Sequence, residues 1–154
     1  MRKTIFWAYI LLACLFTACQ DSSKLIVSDL QCEYLNAPLA IDNTTPHFGW
    51  KMTCGQNGTS SSAYQILVAT ELDKLNEEEA DLWNSGKVSS DTSLGIVYGG
   101  KALNSRTQAY WKVRVWNQAD VPSEWSKPSS FGIGMLSEND WSAEARFIGV
   151  EQAD

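Results

Sequence analysis

Histidine is almost missing from this 154-residue chain, His47 being the only one. Structural zinc sites take their ligands from cysteine and histidine at short fixed spacings. No such set can be assembled here, so no metal is expected. The single imidazole lies beside Pro46, in a loop or at a strand edge, and a Ser-His-Asp nucleophile arrangement has no support. Basic residues are scarce as well, 12 Lys and Arg against 18 Asp and Glu. A chain this acidic has no basic patch to neutralise phosphates, which excludes nucleic acid as a partner. No glycine-rich phosphate cradle occurs, and no cofactor is expected. No apolar run reaches the roughly 20 residues of a spanning helix.

What is present begins with a leader. Arg2 and Lys3 form a positive start, residues 5–15 are apolar throughout, and Phe16-Thr17-Ala18 precede Cys19. This is the pattern of a secretory signal. Its end resembles the lipobox of bacterial lipoproteins, in which the cysteine is lipidated and becomes the mature N-terminus. Residues 1–18 are therefore read as signal peptide, Cys19 as the lipidation site and 19–27 as a tether. The mature chain would be an exported lipoprotein of the bacterial outer membrane, on its periplasmic or cell-surface side. The membrane is then a partner through the lipid.

The fold is organised around residues 108–131. From Ala109 to Val115 the side chains alternate with the two-residue period of a strand. Trp111, Val113 and Val115 point one way, Lys112 and Arg114 the other. Turn chemistry at Asn117–Asp120 and Pro122-Ser123 follows, and a second extended run starts at Trp125. A hairpin alone is marginal in water, so the remaining chain must cover its Trp-Val-Val face. Further strands are read at 25–35, with Leu30, Cys32 and Tyr34 on one face, and at 48–52, with Phe48, Trp50 and Met52 facing together. Residues 63–69 are apolar on both faces, the mark of a central strand. Short strands near Val88 and at 94–98 complete an all-β antiparallel sandwich of about seven strands.

Residues 71–81 are the one stretch with helical preference, and a helical turn or two at the sheet edge is expected there. Its carboxylates, Glu77, Glu78, Glu79 and Asp81, are adjacent in sequence and do not converge on a point; a solvated charge run is expected. A hairpin centred on Asp42 would place Cys32 opposite Met52 and not Cys54. Buried free thiols are expected rather than a disulfide. Among the tryptophans, Trp50 and Trp111 share faces with apolar neighbours and belong to the core. Trp83, Trp116 and Trp125 are candidates for stacking on sugar. Trp116, on the face of Lys112 and Arg114, is the best placed for a surface or interface contact.

Several blocks together resemble one family. They are Glu33–Asp42 (EYLNAPLAID), Pro46–Trp50 (PHFGW), Ala63–Ala69 (AYQILVA), Leu82–Val88 (LWNSGKV), Tyr110–Trp116 (YWKVRVW) with Trp125-Ser126, and Phe131–Leu136 (FGIGML). In this order they are similar to the N-terminal domain of bacterial α-L-rhamnosidases, over roughly residues 28–150. The resemblance implies a fibronectin type III-like, immunoglobulin-like sandwich at 28–136. It also implies a linker and the start of a following domain at 137–154. Hydrolysis in such enzymes would take place in a later helical barrel, so no catalytic residue is carried over. The following domains of the parent enzyme are the implied partner. A stand-alone module binding glycan or protein is the alternative. Three positions depart from the family pattern: Gly49 where Ser is usual, Ala109 where an aromatic is usual, and Phe147 where Trp is usual. Ala109 occupies the place of the tyrosine corner of such sandwiches. Either Tyr110 takes that role by a local shift, or the corner is missing.

Overall fold

The computed structural model describes residues 24–55 and 58–146. Cys19 and the leader before it lie outside the described residues, as does Phe147. Among the described residues eight strands form: β1 Leu25–Cys32, β2 His47–Cys54, β3 Ser61–Ala69, β4 Trp83–Asn84, β5 Val88–Ser89, β6 Leu94–Val97, β7 Gln108–Asn117 and β8 Ser129–Gly132. A 3₁₀ turn, Glu138–Asp140, follows them. One sheet has the order β1-β2-β6, and the other runs β4-β3-β7-β8 with β5 also on β3. All strand pairs within the sheets are antiparallel. β4 and β5 pair with the same edge of β3, at Val68↔Trp83 and Tyr64↔Val88. They are one lane broken at Gly86, whose φ of 62° favours glycine. Seven lanes in two sheets make the immunoglobulin-like sandwich.

The inner faces close on Trp111, which is fully buried with Phe131, Ile66, Val68, Val113 and Val115. Phe48 from the opposite sheet reaches it at 4.4 Å between ring centroids. Burying an indole removes about 200 Å² of mostly apolar surface, or about 5 kcal/mol. β3 is central, as its two apolar faces imply. Its Ile66 and Val68 face the main core, while Leu67 and Ala69 face outward onto Leu75, Ala80, Tyr110 and Trp125.

Four expectations are corrected. β1 ends at Cys32, because Glu33 and Tyr34 adopt φ of 51° and 64° and turn the chain over. Tyr34 therefore leaves the core face and is 63% exposed. A bulge at Asp29, with φ 50°, also shifts the ladder between Ser28 and Gln31. Second, Cys32 pairs with Phe48, and Cys54 pairs with Leu25 at the far end of the same ladder. The two cysteines are too far apart for a bridge. Cys32 keeps a free, buried thiol, which burial, helped by the adjacent Glu33 charge, pushes up to about 12.

Third, residues 71–81 form turns and no helix. The Asn76 side chain accepts from the amides of Glu78 and Glu79, and Asp81 accepts from the Thr70 amide and hydroxyl. These local bonds replace the helical ladder. Fourth, the run from Trp125 is not a regular strand until Ser129. Ahead of that strand Ser123 and Ser126 patch the gap. Each donates its amide to a β7 carbonyl, and each hydroxyl accepts from the amide of Val115 or Val113.

The chain comes in and goes out at opposite poles. β1 starts opposite Cys54 and ends opposite Phe48, and Lys24 is bonded to Glu124 near the far end of β7. β8 ends opposite Gln108, the beginning of β7, and Ile41 pairs with Ile133 just beyond it. Eight residues of β1 span about 26 Å between the poles. At the outgoing pole, residues 38–41 pack flat on β8. A Cβ on Gly132 would stand 2.2 Å from the Leu39 carbonyl, so only glycine permits the approach.

Candidate functional site

The best candidate surface is the outer face of β7. Tyr110, Lys112, Arg114 and Trp116 share it by strand alternation. β3 lies alongside, with Gln65 opposite Arg114 and Ala63 opposite Trp116. The serine-patched segment carries Trp125 over the same face. Rings and cations then alternate in a stack. Lys87 Nζ lies 4.8 Å and Arg114 Cζ 4.9 Å from the centre of a Trp116 ring. Arg114 Cζ is 4.6 Å and Lys112 Nζ 4.9 Å from Trp125. Such contacts contribute about 0.5–2 kcal/mol each, more where water is excluded.

Arg114 is the hub. Its Nε and one terminal nitrogen donate to Gln65 Oε1 at 3.1 and 2.8 Å, and that nitrogen also meets Glu77 Oε1 at 2.8 Å. Gln65 in turn donates to Asn84 at 2.9 Å. The arginine thus ties β7, β3, β4 and the 71–81 turns together. Burial lowers the pKa of Lys112, partly offset by Glu77. Lys87 is paired with Asp120.

The predicted site residues meet, but not as an open platform. Trp116 is only 8% exposed, roofed by Lys87 and Arg114, so it is not the surface contact expected of it. Trp125 is the more accessible ring. Trp83 turns inward and packs on Phe48 and Tyr98 at 6.3 and 5.4 Å, which removes it as a sugar-stacking candidate. Lys87, Gln65 and Glu77 were not foreseen. Glu77 is an ion-pair partner and not merely part of a solvated run. Gln65 sits in phase with Leu67 on the outward face of β3, the one signal that could have found it.

Three hydrogen-bonded carboxylates, Glu33, Asp81 and Asp140, are held low. A glycosidase acid needs a raised pKa and a partner carboxylate across the sugar. Burial raises Glu33, but hydrogen bonds from the His47 side chain and amide and from Asn43 outweigh it and hold it below the usual value. Asp81 is likewise lifted by burial and brought lower by Thr70. The Ser105 hydroxyl and the Ser137 amide lower Asp140. Among the described residues no cluster of His, Cys, Asp and Glu could hold a metal. Also among them, no helix is long and apolar enough to cross a membrane. The tyrosine corner is absent at Ala109, which is buried; Tyr110 packs outward near Leu67 and Ala69.

Residues 27–137 match the model of the Rha78A-like, N-terminal immunoglobulin domain. The chain belongs to that family. An α-L-rhamnosidase of Formosa agariphila is 43% identical over 148 residues, which are 94% of this chain and 15% of that protein. One from Streptomyces avermitilis is 39% identical over 122 residues, 79% of this chain and 12% of that protein. The crystal structure of Streptomyces avermitilis α-L-rhamnosidase complexed with L-rhamnose superposes with TM-score 0.73 at 39% identity, covering 77% of this chain and 11% of that one. The α-L-rhamnosidase of Dictyoglumus thermophilum gives TM-score 0.72 at 34% identity over 78% of this chain and 14% of that one. This member of the family therefore spans about one seventh of the relatives it matches. The family domain is an N-terminal, non-catalytic part of larger enzymes.

Proposed function

We propose that this chain is the accessory N-terminal domain of an α-L-rhamnosidase-like glycoside hydrolase. The whole protein would release terminal L-rhamnose by inverting hydrolysis in a domain outside these 154 residues. The observation that carries the reading is coverage: 94% of this chain aligns with 15% of a rhamnosidase. Its role is architectural. Residues 1–18 are the signal, Cys19 the lipid attachment and 19–27 the tether, with the sandwich at 28–136 and the passage to the next domain at 137–154. The lipid holds the protein at the outer membrane, and the sandwich spaces the enzyme from it. The opposite poles of arrival and departure suit such a spacer. In this reading Trp116 packs beneath Lys87 and Arg114, and any interface contact on this face is made by Lys112 and Arg114. A glycan would have to displace the protein's own cations to stack on those rings, which disfavours a stand-alone sugar-binding module.

Reading the frame through and beyond the codon for Asp154 tests this. Continuation into further β-domains and a helical barrel is the expected result. A stop codon there in the genomic sequence overturns it. Metabolic labelling with palmitate, lost in Cys19→Ala, tests the anchor separately.

A further inference from the structure

Exposed large apolar side chains are unevenly shared between the two poles. The incoming pole shows Ile26 and Val121, the outgoing pole shows Tyr34, Leu35, Leu39, Met135, Leu136 and Trp141, and Leu72, Leu94 and Val97 are exposed elsewhere. Leu39 is 87% exposed and Trp141 58%. Neither hangs on a loose segment. Pro38 accepts from the Gly132 amide and Ile41 donates to the Gly132 carbonyl, so Leu39 is pinned on both sides. Asp140 locks the outgoing chain. One carboxylate oxygen accepts from the Ser105 hydroxyl at 2.6 Å and from the amides of Leu136 and Ser137 at 2.9 and 2.8 Å. Arg106 adds a bond to the Asp140 carbonyl. Trp141 follows directly.

We propose that this outgoing pole is a docking surface for the polypeptide that follows the domain, holding the sandwich at a fixed orientation to the rest of the enzyme. The inference rests on the accessory-domain reading above. An apolar side chain held rigidly in water stabilises nothing within its own domain. Docked, it adds buried area at little further cost in ordering. The occupant is the continuing chain because the surface lies where the chain departs, and because the relatives extend far beyond the matched segment, which is 11–15% of their length. The occupant should present a complementary apolar patch. Exposed apolar side chains gathered at one end of a domain mark interaction sites in general.

The test uses the longer protein. Leu39→Ser with Trp141→Ser is set against Ile26→Ser with Val121→Ser, and trypsin cleavage after Arg146 is timed. Cleavage about tenfold faster in the first pair, and near the parent rate in the second, is expected. The sandwich should then also melt as a separate transition. In the 154-residue chain itself neither pair should move Tm appreciably, which separates lost docking from misfolding. Equal cleavage rates in both pairs overturn the proposal while the accessory-domain reading stands. A stop after Asp154 removes both. A dimer of this chain abolished by the first pair assigns the surface to a second copy and overturns the proposal too.

Discussion

On the inner face of β7, Trp111, Val113 and Val115 have no exposed surface and meet the apolar side of the opposite sheet. On the outer face, Lys112, Arg114 and Trp116 follow the same alternation but build a stack of rings and cations tied by Gln65 and Glu77. The inner face holds by area removed from water and is indifferent to charge. The outer face holds by directional contacts, and its work is to fasten a loop that has no regular structure of its own. One strand supports the domain on one side and fastens an irregular segment on the other.

The largest break in this comparison should come from Trp111→Ala. Removing a fully buried indole costs about 3–5 kcal/mol, seen as a lower urea midpoint or failure to fold. A loss below about 1 kcal/mol would mean that the core is not centred there. Next is Arg114→Ala, which leaves Gln65 and Glu77 without their donor and removes a cation from two rings. A loss of about 1–3 kcal/mol is expected, with faster amide exchange in residues 71–81 than in β3. Arg114→Lys should recover only part of it, since an ammonium cannot reproduce the planar fork.

Acid sharpens the contrast between area and directional bonds. Glu33 and Asp81 have folded pKa values below their usual 4.5 and 3.8. A depressed folded pKa contributes stability that is present above the unfolded value and lost as pH falls through the folded one. Stability should decline as pH falls below about 4.5, and Glu33→Gln should flatten the upper part of that decline. A pH titration of the urea midpoint checks the sign. The smallest effect belongs to Trp125→Ala, about 1 kcal/mol, because this ring is only partly buried and its two cation contacts each fall at the weak end of their range. A larger loss would make Trp125, and not Arg114, the centre of the outer face.

Strand alternation was legible because the inner face obeys a single rule. Phe48, Trp50, Ile66, Val68 and Trp111 all fall in phase, and the sandwich follows from them. The register of β1 against β2 was not legible. It depends on the bulge at Asp29 and on left-handed conformations at Glu33 and Tyr34, which non-glycine residues rarely adopt and no composition signals. Residues 71–81 misled for a related reason. Their local helical preference is real, but Asn76 and Asp81 bond the backbone locally and Leu75 is drawn into the small outer core. The burial of Trp116 depends on Lys87, brought across from the interrupted lane on β3. Such a long-range contact leaves no trace in spacing.

The most direct test of the central claim is turnover of an aryl α-L-rhamnoside, measured for this chain alone and for the longer protein. No hydrolysis by the chain and clear hydrolysis by the longer protein is the expected pair of results. Hydrolysis by the chain alone, abolished by substituting one of its own carboxylates, would contradict it.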